Sequence, residues 1–204
     1  MLCRNILIVG ATGQQGRATI AALYTSVSDI ILVEGDTKNP ASIFQQHPDI
    51  TSIFFITVPS DEVDQARPLI EAAVAPGRKI DHLVFSSVDR GGNHASRETP
   101  TNVPHFAAKH KIEHILRHSC DAADRNIRWM ILRPTGFMDN FGPSFLGKFM
   151  ATLWEIGMPT NCKMQLVSTR DIGIFAAKAL SDPDTWAGRA VGLAKDELTL
   201  DELR

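Results

Sequence analysis

The sequence has little of what marks several classes of protein. Its three cysteines, Cys3, Cys120 and Cys162, are odd in number and widely spaced, which matches neither a disulfide framework nor a Cys-x-x-Cys zinc site. No apolar stretch approaches the ~18 residues that suggest a membrane span. There is no run of five like charges, and 21 Lys and Arg nearly balance 23 Asp and Glu, so a basic surface for nucleic acid is not indicated.

The start of the chain leaves little room for a targeting segment. The first predicted strand begins at about residue 5, so we expect no signal or transit peptide. Cysteine usage and this start favour a cytoplasmic location, with the nucleus as a second location. We expect neither a membrane partner nor direct nucleic-acid binding. Any role in gene regulation would act through a protein partner.

Short apolar runs alternate with helical stretches along the chain. The runs are rich in β-branched residues and are typical of strands covered on both faces of a parallel sheet. They span residues 5–9, 30–33, 53–57, 82–86 and 128–132. The predicted helices span residues 14–25, 41–46, 61–75 and 104–125. This alternation predicts an α/β fold with a doubly wound parallel sheet.

A glycine-rich turn directly follows the first strand. Gly10, Gly13 and Gly16 stand between an apolar strand and an amphipathic helix. A tight turn of this kind needs residues without a Cβ, because the backbone must approach a pyrophosphate at the helix N-terminus. The context favours dinucleotide binding over a purely structural turn. The predicted pyrophosphate-binding residues are Gly10, Ala11, Thr12, Gly13, Gln14, Gln15 and Gly16.

Several further motifs follow in an order that resembles the NmrA-like family of atypical short-chain dehydrogenases/reductases. They are Val33-Glu-Gly-Asp36, Phe55-Ile-Thr57, Phe85-Ser-Ser-Val-Asp89, Val103-Pro-His-Phe106 with Lys109, Leu132-Arg-Pro134, Phe137-Met-Asp-Asn140 and Val167-Ser-Thr-Arg-Asp171-Ile-Gly173. The resemblance covers most of the chain. It implies a Rossmann-like sheet, a small substrate lobe and an NAD(P) cofactor.

The resemblance also implies cofactor contacts outside the glycine turn. Lys109 would hold the nicotinamide ribose, and Asp36 would lie on the adenine side. The other implied cofactor-binding positions are Thr57, Val58, Pro134, Thr135, Gly136 and Phe137. The family favours NADP over NAD, but no Lys or Arg occurs between Arg17 and Lys38 to meet a 2′-phosphate. By spacing alone, Glu34 or Asp36 lies about twenty residues beyond the turn, where an acid would bind the ribose of NAD.

The tyrosine used by most enzymes of the superfamily is missing from its place. Those enzymes carry Tyr-x-x-x-Lys, whose spacing puts both side chains on one helix face for proton exchange with the substrate. The sole tyrosine, Tyr24, is predicted late in the first helix, on the order of 12 Å from the pyrophosphate end. His105 matches the tyrosine position, either as a proton donor or, as we prefer, as a passive residue. Ser87 matches the family's active-site serine, unless it only caps a turn.

Three histidines and two loops complete the candidate features. His110, His114 and His118 recur at helical spacing, but the first and third lie about 12 Å apart along the axis, too far for one metal ion. We predict a solvated face and no metal site.

The polar stretch 91–104 is predicted to be a long, functional loop. With residues 137–146 it would line an acceptor pocket, unless the apolar residues of that second segment form ordinary core. Those residues are Phe137, Met138, Phe141 and Phe145.

The chain is shorter than the family pattern in two places. Only residues 26–29 separate the first helix from the next apolar run, so one strand and one helix are expected to be absent, with residues 30–33 beside the first strand instead. The chain stops at Arg204 within an expected helix, as a reduced variant or an incomplete gene model. We expect a single domain over 1–204, with the dinucleotide-binding core mainly in 1–133. The incomplete substrate lobe is expected mainly in residues 134–204, some segments of which are expected to belong to the dinucleotide-binding core.

Two functions follow from this resemblance. The first is an NAD(P)H-dependent oxidoreductase that passes a hydride to a small quinone, carbonyl or other unsaturated acceptor without the usual tyrosine. The second is a non-catalytic NAD(P)-level sensor or transcriptional co-regulator that acts through a protein partner. A degenerate relative that binds no cofactor well is a third possibility. Fold analogy does not choose among them; the oxidoreductase is the preferred hypothesis.

Overall fold

The computed structural model describes residues 4–24 and 29–203. Within these residues the strands are β1 (Ile6–Ile8), β2 (Ser52–Phe55), β3 (His82–Ser86), β4 (Arg128–Pro134), β5 (Gly136–Phe137), β6 (Met164–Val167), β7 (Arg189–Leu193) and β8 (Asp196–Leu198). The α-helices are α1 (Gln14–Leu23), α2 (Ala41–Gln46), α3 (Glu62–Val74), α4 (Gly92–Glu98), α5 (Pro104–Asp121), α6 (Phe145–Gly157), α7 (Thr169–Ser181), α8 (Pro183–Trp186) and α9 (Leu200–Leu203). A 3₁₀ helix spans Met138–Phe141. Among the helices described, none is long and apolar enough to cross a membrane.

The larger sheet has the strand order β1-β2-β3-β4-β7, and all its neighbouring strands are parallel. The register pairs Leu7 with Ile53, and Ile53 with Leu83. Every residue of β2 and β3 is buried, as the apolar runs predicted. Because the strands run in one direction, their carboxyl ends meet at one edge, where open α/β sheets bind ligands.

Helices cover both faces of this sheet. On one face, α2, α3 and α5 pack apolar side chains such as Phe44, Leu69 and Leu116 against it. On the other face, α1 and α7 contribute Leu23 and Ile172. Each such side chain stabilises the fold by ~1.5–3 kcal/mol when fully buried. The predicted α/β class with a doubly wound parallel sheet is confirmed.

The close approach of α1 to α7 depends on one glycine. A Cβ placed on Gly173 of α7 would lie 2.4 Å from the carbonyl carbon of Ala18 in α1. Any side chain at that position would therefore force the two helices apart. The helix that follows the glycine turn is thus supported by a helix from the last third of the chain.

A smaller unit follows β4. In it β5 pairs with β6 in parallel, and β6 pairs with β8 antiparallel. Trp154 of α6 packs there with Leu166 and Leu200. Strand β7 lies between β6 and β8 in sequence but belongs to the larger sheet, so the C-terminal part of the chain returns to the core.

The strand predicted at residues 30–33 is not present. Ile30, Ile31 and Leu32 are 58%, 73% and 85% exposed, and only Val33 packs against the core. A strand of a parallel sheet is stabilised by burial on both faces. The side chains of Ile30, Ile31 and Leu32 are exposed, so this stabilisation is missing here. In the described part of the chain, β1 is therefore the edge strand, and nothing occupies the place beside it.

The predicted long loop at residues 91–104 is wrong in part, because it contains helix α4. The Asp89 carboxylate accepts hydrogen bonds of 2.9 Å from the amides of both Gly91 and Gly92, which satisfies donors at the start of that helix.

Helix α5 ends at Asp121, four residues before its predicted end. The predicted link at residues 26–29 lies largely outside the described residues.

Candidate functional site

The glycine turn joins β1 to α1 in the predicted geometry. Gly10 has φ +76°, in the left-handed region that favours glycine, and its carbonyl oxygen accepts a 2.9 Å bond from the amide of Gly13. A Cβ on Gly16 would lie 2.2 Å from that same oxygen. Gly13 caps α1 without a side-chain hydrogen bond. The turn therefore presents bare backbone at a helix N-terminus, which suits a phosphate group.

The loop after β2 is strained where it leads into α3. Ser60 and Asp61 are not glycines, yet they have φ values of +86° and +51°. Gln65 braces the loop by donating 2.7 Å and 3.2 Å bonds to the carbonyl oxygens of Ser60 and Val58. Backbone of this kind costs roughly 1–3 kcal/mol per residue and clusters at functional sites. The loop brings the buried side chain of Glu62 next to Thr57, two residues after the end of β2.

Lys109 of α5 lies beneath the ends of β2 and β3. Its Nζ donates to Thr57 Oγ1 at 2.9 Å, to the Ser86 carbonyl at 3.2 Å and to the Thr57 carbonyl at 3.4 Å. A Glu62 carboxylate oxygen lies 3.4 Å away. Burial lowers the pKa of Lys109 to about 8, although the charge of Glu62 opposes this shift. Two of the predicted cofactor residues, Thr57 and Lys109, are thus in direct contact.

His105 lies one helical turn before Lys109, on the same side of α5. Its Nδ1 is hydrogen-bonded to one oxygen of the Glu62 carboxylate, whose other oxygen accepts a 2.6 Å bond from Thr57 Oγ1. The His105 side chain is 36% exposed and that of Glu62 only 2%. By contrast, Tyr24 lies beyond the last residue of α1 and is 66% exposed.

Ser87 is bonded to a buried carboxylate. Its hydroxyl donates a 2.6 Å bond to Glu113 of α5, which also receives hydrogen bonds from Arg90 and Arg133. Burial alone would raise the pKa of Glu113, but the hydrogen bonds from Arg133 and Ser87 lower it below its ordinary value. The proton of Ser87 therefore points to the protein, which supports a structural task for this hydroxyl.

The end of β4 is anchored to its neighbours. Thr135 donates from its amide and its hydroxyl to the Leu193 carbonyl at 3.0 Å and 3.1 Å, and the Asp89 amide donates to the Pro134 carbonyl at 2.9 Å. Gly136 and Phe137 form β5. These predicted cofactor positions thus lie at the same sheet edge as the glycine turn.

Asp36 and Val58 lie on the outside of this edge. The Asp36 carboxylate accepts a 2.9 Å bond from the amide of Lys38, within its own turn. The ammonium of Lys38 is 3.3 Å from Asp61, which connects this turn to the loop after β2. Val58 is 60% exposed. The structure therefore brings the Asp36 turn next to the strained loop and leaves both predicted residues open to solvent.

The apolar residues of the predicted acceptor pocket lie in different surroundings. Phe137 packs against the sheet face covered by α1 and α7, whereas Met138 and Phe141 pack in the smaller unit. Phe145, the first residue of α6, is 86% exposed. Their role as pocket residues stays a prediction.

His110, His114 and His118 of α5 lie away from its buried face. His114 and His118 are exposed, and His110 is half-buried. The Nε2 atoms of His110 and His114 are 3.3 Å apart, and His110 also contacts the Arg97 carbonyl. No group of three or more potential metal-ligating side chains was found in the part of the chain that the structure describes.

A family comparison decides the relationship. The model of the NmrA-like family matches residues 25–204. The chain belongs to the NmrA-like family. The match begins after the glycine turn. The interpretation of the turn as a phosphate-binding site therefore depends on its strand–turn–helix context and on its geometry, and not on the family match.

A curated relative of this chain is an uncharacterised oxidoreductase of Mycobacterium tuberculosis. It is 27% identical over 135 residues, which are 65% of this chain and 44% of the relative. The chain thus matches less than half the length of that relative.

Solved structures share the fold at low sequence identity. The NADPH-dependent quinone oxidoreductase of Escherichia coli, complexed with NADPH, has a TM-score of 0.73 at 21% identity, covering 98% of this chain and 72% of that one. The triphenylmethane reductase of Citrobacter sp. has a TM-score of 0.75 at 19% identity, with coverages of 98% and 72%. The Rossmann-like architecture is therefore confirmed.

Glu62, Glu113 and Arg133 were not singled out by sequence. Glu62 stands in the first turn of a predicted helix, where an acidic residue is ordinary because it complements the helix dipole. Arg133 stands within an apolar strand, where a charged residue almost never lies fully buried unless it is paired. That signal could have identified Arg133 as one partner of a buried ion pair. No comparable signal was available for Glu62.

Proposed function

We propose that this chain acts as an NAD(P)H-dependent oxidoreductase on a small quinone, carbonyl or other unsaturated acceptor. One observation carries the proposal: the ends of adjacent parallel strands bring the glycine turn, Lys109 and His105 to one edge of the sheet. The names of the relatives support it, since they include an oxidoreductase, a quinone oxidoreductase and a triphenylmethane reductase.

The residues present fit the pyrophosphate half of a dinucleotide. At Gly16 a Cβ would collide with the turn, and at Gly13 the helix begins without a side-chain cap, so backbone amides are left for a phosphate. Lys109 and Thr57 would face the nicotinamide ribose. When bound, the reduced cofactor supplies the hydride, and this chain's residues would orient the acceptor and provide a proton.

The choice between NADP(H) and NAD(H) has support on both sides. The printed names of two solved neighbours include NADPH and NADP(H). By spacing from the glycine turn, the exposed acids Glu34 and Asp36 could bind the ribose of NAD, and Lys38 is already paired with Asp61. We expect the affinities for the two cofactors to differ less than in an enzyme with a dedicated phosphate-binding arginine.

A sensor of NAD(P) level that binds a protein partner is the second candidate. The contacts of two side chains favour it. Ser87 donates its proton to Glu113, and the Lys109 ammonium already has protein acceptors for its three protons. A site whose polar groups are bonded within the protein is suited to binding without turnover.

Calorimetry and absorbance together separate these functions. The purified chain is titrated with NADPH, NADH, NADP⁺ and NAD⁺, and oxidation of the reduced forms is then followed with a panel of quinones and carbonyl compounds. Turnover supports the oxidoreductase, tight binding without turnover supports the sensor, and no binding contradicts both. Lys109→Ala should weaken binding, whereas Lys111→Ala, on the exposed side of the same helix, should not.

A further inference from the structure

The Glu62 carboxylate is buried and has a partner at each oxygen. Its side chain is 2% exposed. One oxygen accepts the Thr57 hydroxyl proton at 2.6 Å and lies 3.4 Å from Lys109 Nζ, and the other is bonded to His105 Nδ1. A buried charge is costly unless it is paired and hydrogen-bonded. The cluster therefore depends on all four side chains, of which His105 alone is open to solvent on one side.

The backbone before Glu62 is held in place against its own preference. The left-handed Ser60 and Asp61 precede α3 directly, and Gln65 and Lys38 fix them from either side. A strained backbone conformation of this kind persists only where the surrounding contacts are strong enough to hold it in place. A relaxed loop would begin α3 in a different place and would separate the carboxylate from His105. The strain thus serves to keep Glu62 against the imidazole.

The contacts of the His105 ring leave one nitrogen for a ligand. Within the described residues, Nδ1 is the ring nitrogen with a protein partner, while Nε2 has none. A histidine whose Nδ1 is bonded to a carboxylate is fixed in ring orientation and tautomer, so that its Nε2 can exchange a proton. The absent tyrosine left open which group on this helix face could serve that purpose.

We propose that Glu62 is the positioning residue for His105, and that the imidazole so held donates a proton from Nε2 to the acceptor. This inference rests on the proposed function. As the acceptor carbon gains the hydride that a reduced nicotinamide supplies, the Nε2–H bond of the imidazolium breaks and a bond from that proton to the acceptor oxygen forms. The ring is left as the neutral imidazole with its proton on Nδ1, from which it donates a hydrogen bond to Glu62, and solvent water then returns a proton to Nε2. Lys109 and Thr57 hold the other side of the carboxylate.

The first test needs no cofactor. In long-range ¹H–¹⁵N spectra of the full chain at about pH 8.5, above the ordinary histidine range, the neutral His105 ring should be the Nδ1–H tautomer. Glu62→Gln should reduce the Nδ1–H fraction, because an amide can present a donor instead of an acceptor. The control Glu71→Gln, on the exposed side of α3, should leave the spectrum unchanged. A wild-type ring in the Nε2–H form overturns the proposal, whatever the variants do.

The second test uses turnover with the best acceptor found. Glu62→Gln should lower kcat roughly 100-fold or more, the range for general acid catalysis, with little change in the KM of the acceptor. His105→Asn should lose as much, and the double variant should lose no more than either alone. Unchanged kcat in folded Glu62→Gln overturns the proposal. If the wild-type chain has no turnover, the oxidoreductase function fails, while the tautomer measurement still decides whether Glu62 sets the ring.

Discussion

Arg133 of β4 binds the carboxylate of Glu113 through two hydrogen bonds, from Nε to Oε1 at 3.1 Å and from Nη2 to Oε2 at 2.6 Å. Both side chains are 1% exposed. Arg90 adds a bond of 3.0 Å from the loop after β3. The helix that carries His105 and Lys109 is therefore fixed to the ends of two strands by buried charges, about one turn after Lys109 and two turns after His105.

Replacing Arg133 by Met should destabilise the fold strongly. Removing one partner of a buried ion pair leaves the other charge uncompensated, at a cost of about 3–5 kcal/mol. Because Arg90 and Arg117 remain near Glu113, we expect the lower end of that range in urea unfolding. The exposed pair of Arg67 with Glu71 provides the control, since Arg67→Met should cost less than about 1 kcal/mol. Equal effects of the two variants would contradict the importance of the buried pair.

His82 should make the fold sensitive to mild acid. It is fully buried, and neither ring nitrogen has a hydrogen-bond partner in the described structure. Burial, with the nearby charges of Arg4 and Arg128, lowers its pKa from 6.5 to about 4. Between these values the unfolded chain binds a proton that the folded chain does not, so stability falls as pH drops through this window.

His82→Phe should remove that dependence. A phenyl ring has a similar shape and leaves no ring nitrogen unsatisfied. Unfolding curves in urea at intervals between pH 7 and about 4 should show a shallower decline for the variant, which becomes more stable relative to wild type as the pH falls. Parallel pH curves for the two proteins would show that folding does not lower the pKa of His82.

Gly16→Ala should disrupt the glycine turn. The added methyl group would lie 2.2 Å from a backbone carbonyl oxygen, which cannot move aside as a flexible side chain would. Overpacking of this kind costs about 1–3 kcal/mol, and dinucleotide affinity should fall in calorimetry. Gly157→Ala is the matched control, because nothing lies within 4 Å of its Cβ position. A Gly16→Ala protein with unchanged melting temperature and affinity would contradict the proposed turn geometry.

Lys109 should produce a stability change in mild alkali. Its folded pKa is lowered from 10.5 to about 8, so between these values the unfolded chain holds a proton that the folded chain has released. The free energy of unfolding of the wild type, relative to Lys109→Met, should therefore rise with pH across this window. Lys111→Met should keep the wild-type slope. A Lys109→Met slope equal to that of wild type would mean that the ammonium keeps its ordinary pKa.

Local patterns in the sequence predicted the sheet core and the glycine turn, because each depends on residues that are close in the chain. The apolar run 82–86 became a fully buried strand, and His105 and Lys109 lie four apart on one helix face. The strand at 30–33 failed because its composition suits a sheet, but no second layer buries it. The role of Glu62 could not be predicted, because it depends on contacts with Thr57 and His105 that only the folded structure brings about. The same holds for Glu113, whose partners come from two other elements.

The contact between Gly173 and Ala18 bears on when the chain can fold as it is synthesised. Helix α1 emerges from the ribosome long before α7, so the face of α1 that packs against α7 has no partner until α7 has been made. Folding that depends on contacts so distant in sequence is slow. The glycine turn, although it is translated well before α7, therefore gains the support of that helix only late in folding.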